Sequence, residues 1–444
     1  MTRTKKIALG VGVAVVAAVA GLLGGVFADS PAPVSPAPPA EARSAGTAGQ
    51  ILAGFSPGNT AAYVQDLEAK IAVKPDDGKS LTFLGLAYQQ RARETGDPSF
   101  YPLAETALRK ALAEPGDHEI LATTGLASLA ASRHRFRDAL ALAERARGLG
   151  SESAAPYGIL GDSLIELGRY DEAFDAFDRM ASLKPNIASY ARVSYARELL
   201  GLTNGAIEAM ALAVDAGSGN GENAAWTLVQ LGNLHFHAGR LDEAAREYGR
   251  ALERYPHYIY AEAALARVEA ARGSFGRAIE LYRSAVDTIP LPEFAVGLGD
   301  TLMTAGRREE AKEAYGLVDV IQRLLEANGV RTEFDTALFD LDHGRNVAAA
   351  LARAERAYVD RRSIDAEDVL AWGYYKNDRC DEAKEHSLLA LRLGTKDALK
   401  LFHRGMIERC LGNANAGRSF IERALDTNPY FSLLYAPVAK EIVR

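Results

Sequence analysis

The chain has 444 residues, 48% of them hydrophobic and 25% charged, with 51 Lys+Arg against 58 Asp+Glu and a formal charge of −7. That acidic balance, with no basic run after residue 30, excludes binding driven by nucleic-acid phosphates. Two cysteines in so long a chain exclude a disulfide-stapled miniature fold.

The first element is apolar. "TRTKK" precedes 22 uncharged residues, Ile7 to Ala28. As a helix this stretch rises about 33 Å, enough to cross a hydrocarbon core of roughly 30 Å. Cations before it and Asp29 after it orient the N-terminus to the cytoplasm. Residues 1–28 therefore read either as a transmembrane anchor or as a signal peptide cleaved after "VFA", near Ala28. Both readings place the rest of the chain outside the cytoplasmic membrane. No Cys directly follows the segment, which excludes a lipid-anchored lipoprotein. Residues 29–50, "DSPAPVSPAPPAEARSAGTAGQ", are too rich in Pro and Ala to bury a core and are expected to be a disordered spacer.

Residues 51–77 contain "AAYVQDLEAKIAVKPDD", an amphipathic stretch expected to be an N-terminal capping segment. From 78 to 431 the chain reads as consecutive pairs of amphipathic helices. In "YGILGDSLIELGRYDEAFDAFDRMASLKP", Tyr157, Leu160, Gly161 and Leu164 share one helix. After a break at Gly168, Ala173 and Phe177 follow on a second helix, which Pro185 stops. Gly161 and Ala173 are small where two helices cross closely. The small residue opening the second helix recurs at Ala104, Ala139, Ala173, Ala206, Ala244, Ala278, Ala311, Ala349, Ala383 and Gly417. Its intervals are 35, 34, 33, 38, 34, 33, 38, 34 and 34 residues. "ARETGDPSFYP" lengthens the first repeat, and the intervals of 38 fall at "DAGSGNGENA" and "QRLLEANGVRTE". The tail, residues 432–444, reads as a C-terminal capping helix.

This spacing resembles the tetratricopeptide repeat, in which W-x2-L-G-x2-Y is followed by A-x3-F and then P. The resemblance covers about four-fifths of the chain. It implies an all-α fold, a right-handed superhelical solenoid of about ten antiparallel helix pairs. The copies around Thr124 and Ala349 depart from the pattern, with His134 and Arg353 where Gly and an aromatic residue are usual. The family is a scaffold shared by many activities, so the resemblance bears on fold far more than on function.

What the family offers is a concave groove lined by first helices. Their inward positions here carry Tyr195, Glu198, Trp226, Asn233, Phe236, Arg267, Asp300, Asp368, Trp372 and Tyr375. Aromatic anchors among polar groups suit a protein or peptide partner; the alternative for each aromatic is that it fills the gap between repeats. Relatives that clamp a carboxylate use Lys, Arg and Asn on adjacent first helices, and only Asn233 and Arg267 resemble that set. No motif for catalysis or phosphate cradling is present, which points to a non-enzyme without cofactor or metal. His235 and His237 are two apart and point to different helix faces. Asp340, Asp342 and His343, in "FDLDHG", read as a solvated helix end.

The expectation is a non-enzymatic scaffold displayed outside the cytoplasmic membrane, binding a protein or peptide partner of the bacterial cell envelope. A secreted binder of a small ligand or glycan, with Trp226 and Trp372 as platforms, and an accessory subunit of an envelope enzyme remain alternatives. Cys380 and Cys410 fall near the start of one helix and the end of its antiparallel neighbour, within reach of a disulfide in an oxidising compartment. Two packed thiols are the alternative.

Overall fold

A computed structural model of the chain describes residues 60–217 and 221–444. The anchor or signal segment and the Pro-rich spacer lie outside the described residues. Among the described residues there are 22 helices and no strand. None of the helices is long and apolar enough to cross a membrane.

Helix α1 (Thr60–Val73) packs on the first of ten antiparallel pairs. The first four pairs are α2 (Gly78–Thr95) with α3 (Phe100–Ala111), α4 (Glu119–Ser132) with α5 (Phe136–Leu149), α6 (Ala154–Glu166) with α7 (Tyr170–Leu183), and α8 (Ile187–Leu199) with α9 (Thr203–Ala216). The next three are α10 (Glu222–His237) with α11 (Leu241–Arg254), α12 (Ile259–Ala271) with α13 (Phe275–Thr288), and α14 (Pro292–Thr304) with α15 (Arg308–Ala327). The last three are α16 (Glu333–Asp342) with α17 (Val347–Ala357), α18 (Ile364–Lys376) with α19 (Cys380–Ala390), and α20 (Ala398–Cys410) with α21 (Ala414–Thr427). Helix α22 (Tyr435–Val443) covers the last pair.

The pairs form because each second helix opens with a residue that has almost no side chain. Ala104, Ala139, Ala173, Ala206, Ala244, Ala278, Ala311 and Ala383 are all wholly buried. A Cβ at Gly161 would overlap the Phe177 ring and crowd the Ala173 carbonyl oxygen, so this crossing admits only glycine. In the eighth pair the register differs by one from the sequence reading. Ala349 is exposed and Ala350 is wholly buried. The intervals on either side are therefore 39 and 33, because the turn before α17 runs to Asn346 at φ 43°. The role usual for an aromatic is taken there by Arg353, which pairs with Asp340 at 2.9 Å. Two insertions are absorbed largely as helix rather than loop: α2 runs for 18 residues and α15 for 20.

The array winds back on itself. The turn inside each of the first five pairs touches the loop that leaves the fifth pair after it. Gly96 lies against Ile289. Arg331 N donates to Arg133 O at 3.1 Å, and His134 Nδ1 lies 2.8 Å from Arg331 O. Arg362 N donates to Glu166 O at 2.8 Å, and Ile364 N to the Tyr170 hydroxyl at 2.7 Å. Gly201 abuts the Gly394 carbonyl, and Asn428 Nδ2 donates to Phe236 O at 3.0 Å. These contacts form a continuous seam between one turn of the superhelix and the next.

The seam gives a paired test. Gly201 sits at φ +70°, and a Cβ there would overlap the Gly394 carbonyl oxygen; Gly306 sits at φ +80° with nothing within 4 Å of its Cβ position. Gly306→Ala should cost only the left-handed backbone penalty, about 1–2 kcal/mol. Gly201→Ala should add about 1–3 kcal/mol of overpacking. Equal denaturation midpoints for the two variants would mean that the seam carries no stability.

Candidate functional site

Winding curves the concave face around a partly open interior. This interior is a cavity of about 550 Å³, walled mainly by first helices and by the seam loops. Tyr195, Glu198, Trp226, Asn233, Phe236, Arg267, Asp300 and Asp368 all border it. Most first helices pack beside the first helix of the next pair, which brings their inward positions together along the cavity.

Polar bonds, most of them buried, join many of these helices to the next. Arg192 of α8 grips Asp162 of α6 through Nε at 3.0 Å and Nη2 at 2.7 Å. His237 Nδ1 of α10 lies 2.9 Å from Glu198 of α8. Arg267 Nη2 of α12 donates to Asn233 Oδ1 of α10 at 2.7 Å. His343, just past α16, lies 3.0 Å from Asp300 of α14, and His403 of α20 lies 3.0 Å from Asp368 of α18. Low-dielectric surroundings make such bonds strong when satisfied and costly when broken. They fix the spacing of the wall.

Arg267 differs from Arg93, Arg192, Arg361 and Lys400 of the wall, each of which is paired with a carboxylate. Its guanidinium lies 4.1 Å over the Phe236 ring, and its hydrogen-bond acceptors are the neutral Asn233 and the Tyr248 hydroxyl, the latter at 3.1 Å. Nε is buried and has no hydrogen-bond partner among the described residues. A cation so placed, facing a cavity, can accept a carboxylate. Elsewhere on the wall Glu293 also borders the cavity; burial, with Asp335 adding to it, pushes its carboxyl up to about 7.

Two expected groove residues are not in the cavity wall. Trp372 is 1% exposed. Its ring stacks between Tyr375 and His403 at 4.7 and 4.0 Å, and its Nε1 donates to Asp342 Oδ1 at 2.9 Å. Tyr375 is spent on that stack. The cause is α22, whose Tyr435 closes over Trp372 edge-on at 5.5 Å and also donates to Asp342 Oδ1 at 3.0 Å. "FDLDHG" is likewise no solvated end: Asp342 is wholly buried, Asp340 is 6% exposed, and His343 is tied to Asp300. No metal-sized group of His, Cys, Asp and Glu occurs among the described residues.

Sequence reasoning missed Arg93, Glu222, Tyr260, Asp365, Asp397 and Lys400, which also border the cavity. Arg93 pairs with Glu222 at 2.8 Å, and Tyr260 donates to the Arg93 carbonyl at 3.2 Å. Both contacts cross between distant repeats, so no local pattern announces them. Only Asp397 carries a local signal: its Oδ1 caps α20 by accepting from Leu399 N and Lys400 N at 2.9 and 3.1 Å.

Cys380 and Cys410 are joined in a disulfide with a Cα separation of 6.2 Å, tying α19 to the end of α20. Cys380→Ser should cost about 2–4 kcal/mol in oxidised protein. Thiol titration of denatured, non-reduced wild type should find no free thiol; two reactive thiols per chain would refute the bond.

A solenoid of helix pairs wound around a ligand-sized interior is the class of protein that fold and site define. The family model described as "Tetratricopeptide repeat" matches residues 124–189 and 229–291, and the chain carries tetratricopeptide repeats there. Among solved structures the chain is similar to one in the crystal structure of the APC/C hetero-tetramer Cut9-Hcn1. Identity is 15%, over 89% of this chain and 83% of that one, with a TM-score of 0.42. It is similar to the human IFIT1 dimer with m7Gppp-AAAA at 15% identity, over 85% and 92% of the two chains, with a TM-score of 0.44. It is also similar to YrrB, described as a TPR protein with an unusual peptide-binding site. There the identity is 23%, the shares 43% and 96%, and the TM-score 0.29. No curated protein matches the chain.

Proposed function

We propose that this chain is a non-enzymatic scaffold that takes an extended segment of a partner protein into the interior of its superhelix. It works outside the cytoplasmic membrane, held there by residues 7–28 or released by cleavage near Ala28, and its partner belongs to the cell envelope. The observation that carries the reading is the concave wall of Trp226, Phe236, Asn233 and Arg267. It offers aromatic surface for side chains and a cation without an acidic partner for a carboxylate. The polar groups of the wall are engaged in bonds between helices rather than arranged as nucleophile and base, which supports a binding role over catalysis.

A photo-crosslinking residue placed at Phe236 in the full chain tests this, with Leu388, 55% exposed on a second helix, as the outer control. The interior position should capture a discrete partner that the outer one does not. Equal labelling from both positions would contradict the reading. A second reading, an exported binder of a small ligand, is favoured by one observation: the 550 Å³ volume lies within the range of small-molecule sites. Quenching of Trp226 on titration with a small ligand, without a crosslinked protein, would select it.

A further inference from the structure

We propose that the part of the cavity where α8 meets α18 and α20 is a cation subsite, formed by Glu198, Asp365, Asp368 and Asp397. It takes the ammonium or guanidinium group of a basic ligand, carried either by a lysine or arginine side chain or by a free polyamine. The proposal deepens the interior-binding reading and rests on it only in that the cavity receives a ligand.

The subsite exists because the superhelix closes. Helix α8 ends beside Gly201, and Gly201 lies against Gly394 in the loop that leads into α20. Residues of the fourth, ninth and tenth pairs thereby border one space. The Tyr195 hydroxyl is held well above its ordinary pKa, first by burial and then by the charges of Asp365, Glu166 and Glu198, so carboxylates from both turns stand near it. Burial alone would raise the Asp397 carboxyl, but Lys400 holds it down at about 2.

The cations facing this cluster are few. Lys400 Nζ lies 2.6 Å from Asp365 and 2.7 Å from Asp397 and is buried. Arg361 is engaged by Glu166 at 2.6 Å. His237 binds Glu198, and Lys396 is exposed at the edge. Lys400 is thus shared between Asp365 and Asp397 and also feels Asp368, while Glu198 has only the imidazole of His237. Asp368 adds an independent sign. It is 6% exposed and borders the cavity; its Oδ2 is bonded to His403 Nδ1, but its Oδ1 is buried with no hydrogen-bond partner among the described residues. A buried carboxylate oxygen lacking a donor is costly, and a charged N–H is the donor it binds most strongly. An anionic ligand would be repelled, and a neutral one would form only the weaker bond.

The test is calorimetric titration of the full-length chain with spermidine, and with a lysine-containing peptide beside its Nε-acetylated form. Spermidine should bind, with affinity falling steeply as salt rises, and an uncharged diol of similar length should not. Asp365→Asn and Asp368→Asn should each weaken binding at least tenfold. Lys400→Met should tighten it, a gain that misfolding does not produce. If the lysine peptide binds and its acetylated form does not, the source is a side chain. If spermidine binds and neither peptide does, the source is a polyamine and the peptide reading fails while the cation subsite stands. The subsite is overturned if charged and neutral probes bind alike, if no cationic probe binds, or if Asp368→Asn leaves affinity unchanged. In that case interior crosslinking from Phe236 would still report on the peptide reading by itself.

Discussion

Arg361→Met is expected to lower unfolding free energy by about 3–5 kcal/mol, among the largest effects of any single substitution in this chain. Arg361 Nε bonds Glu166 at 2.6 Å, with side-chain exposures of 10% and 4% for the two partners. Its guanidinium also lies 5.4 Å from the Phe136 ring and 5.6 Å from the Phe334 ring. Removing the cation leaves Glu166 buried without its counter-charge, at a point where its own backbone carbonyl already receives Arg362 N. Most of the loss comes from that stranded charge. The double variant Arg361→Met with Glu166→Gln should therefore recover a substantial part of it. Urea denaturation followed by circular dichroism decides the matter: a loss below about 1 kcal/mol would mean that the seam pair is replaced by water.

Trp372→Ala should also cost about 3–5 kcal/mol, as a large aromatic truncated in a packed core does. It removes a ring stacked on both faces, and it removes one of the two donors to Asp342, whose carboxyl burial has already pushed up to about 6. Ligand affinity per folded molecule should be unchanged. Trp226→Ala is the contrasting variant. Trp226 is 8% exposed and borders the cavity, so its loss should weaken binding by roughly 2 kcal/mol while also costing some stability. Weakened binding in Trp372→Ala protein that remains folded would return Trp372 to the site.

The helix pairs were legible because each rests on neighbours close in sequence. A wholly buried Ala173 or Ala244 recurs at the helix crossing, and an interval near 34 needs no alignment to be counted. The single slip, at Ala349, came where Gly344 marks the turn but a second positive-φ residue, Asn346, carries it further than the repeat spacing indicates. The same repeat spacing picked out Trp226, Asn233 and Arg267 as inward positions, and all three border the cavity. Trp372 did not, because its burial depends on Tyr435 arriving from the terminal helix and on Asp342 from the previous pair. The seam was invisible for a stronger reason. Gly201 and Gly394 are both ordinary turn residues in their own repeats, and nothing local records that one will lie against the other.

That seam changes how the chain must fold. An open repeat array gains stability by nearest-neighbour terms, can nucleate anywhere, and frays from its ends. Here Glu166 waits for Arg361 and Phe236 for Asn428, partners separated by 195 and 192 residues. Contacts of such high contact order slow folding, because their loop-closure entropy must be met before they form. The helix pairs should therefore assemble first as an open spiral, and the two turns should lock together in a distinct late phase. Once locked, the ends are no longer independent. Deleting the tenth pair would strip the fifth of its partner half a chain away, and melting should become more cooperative than in an unclosed array of equal length.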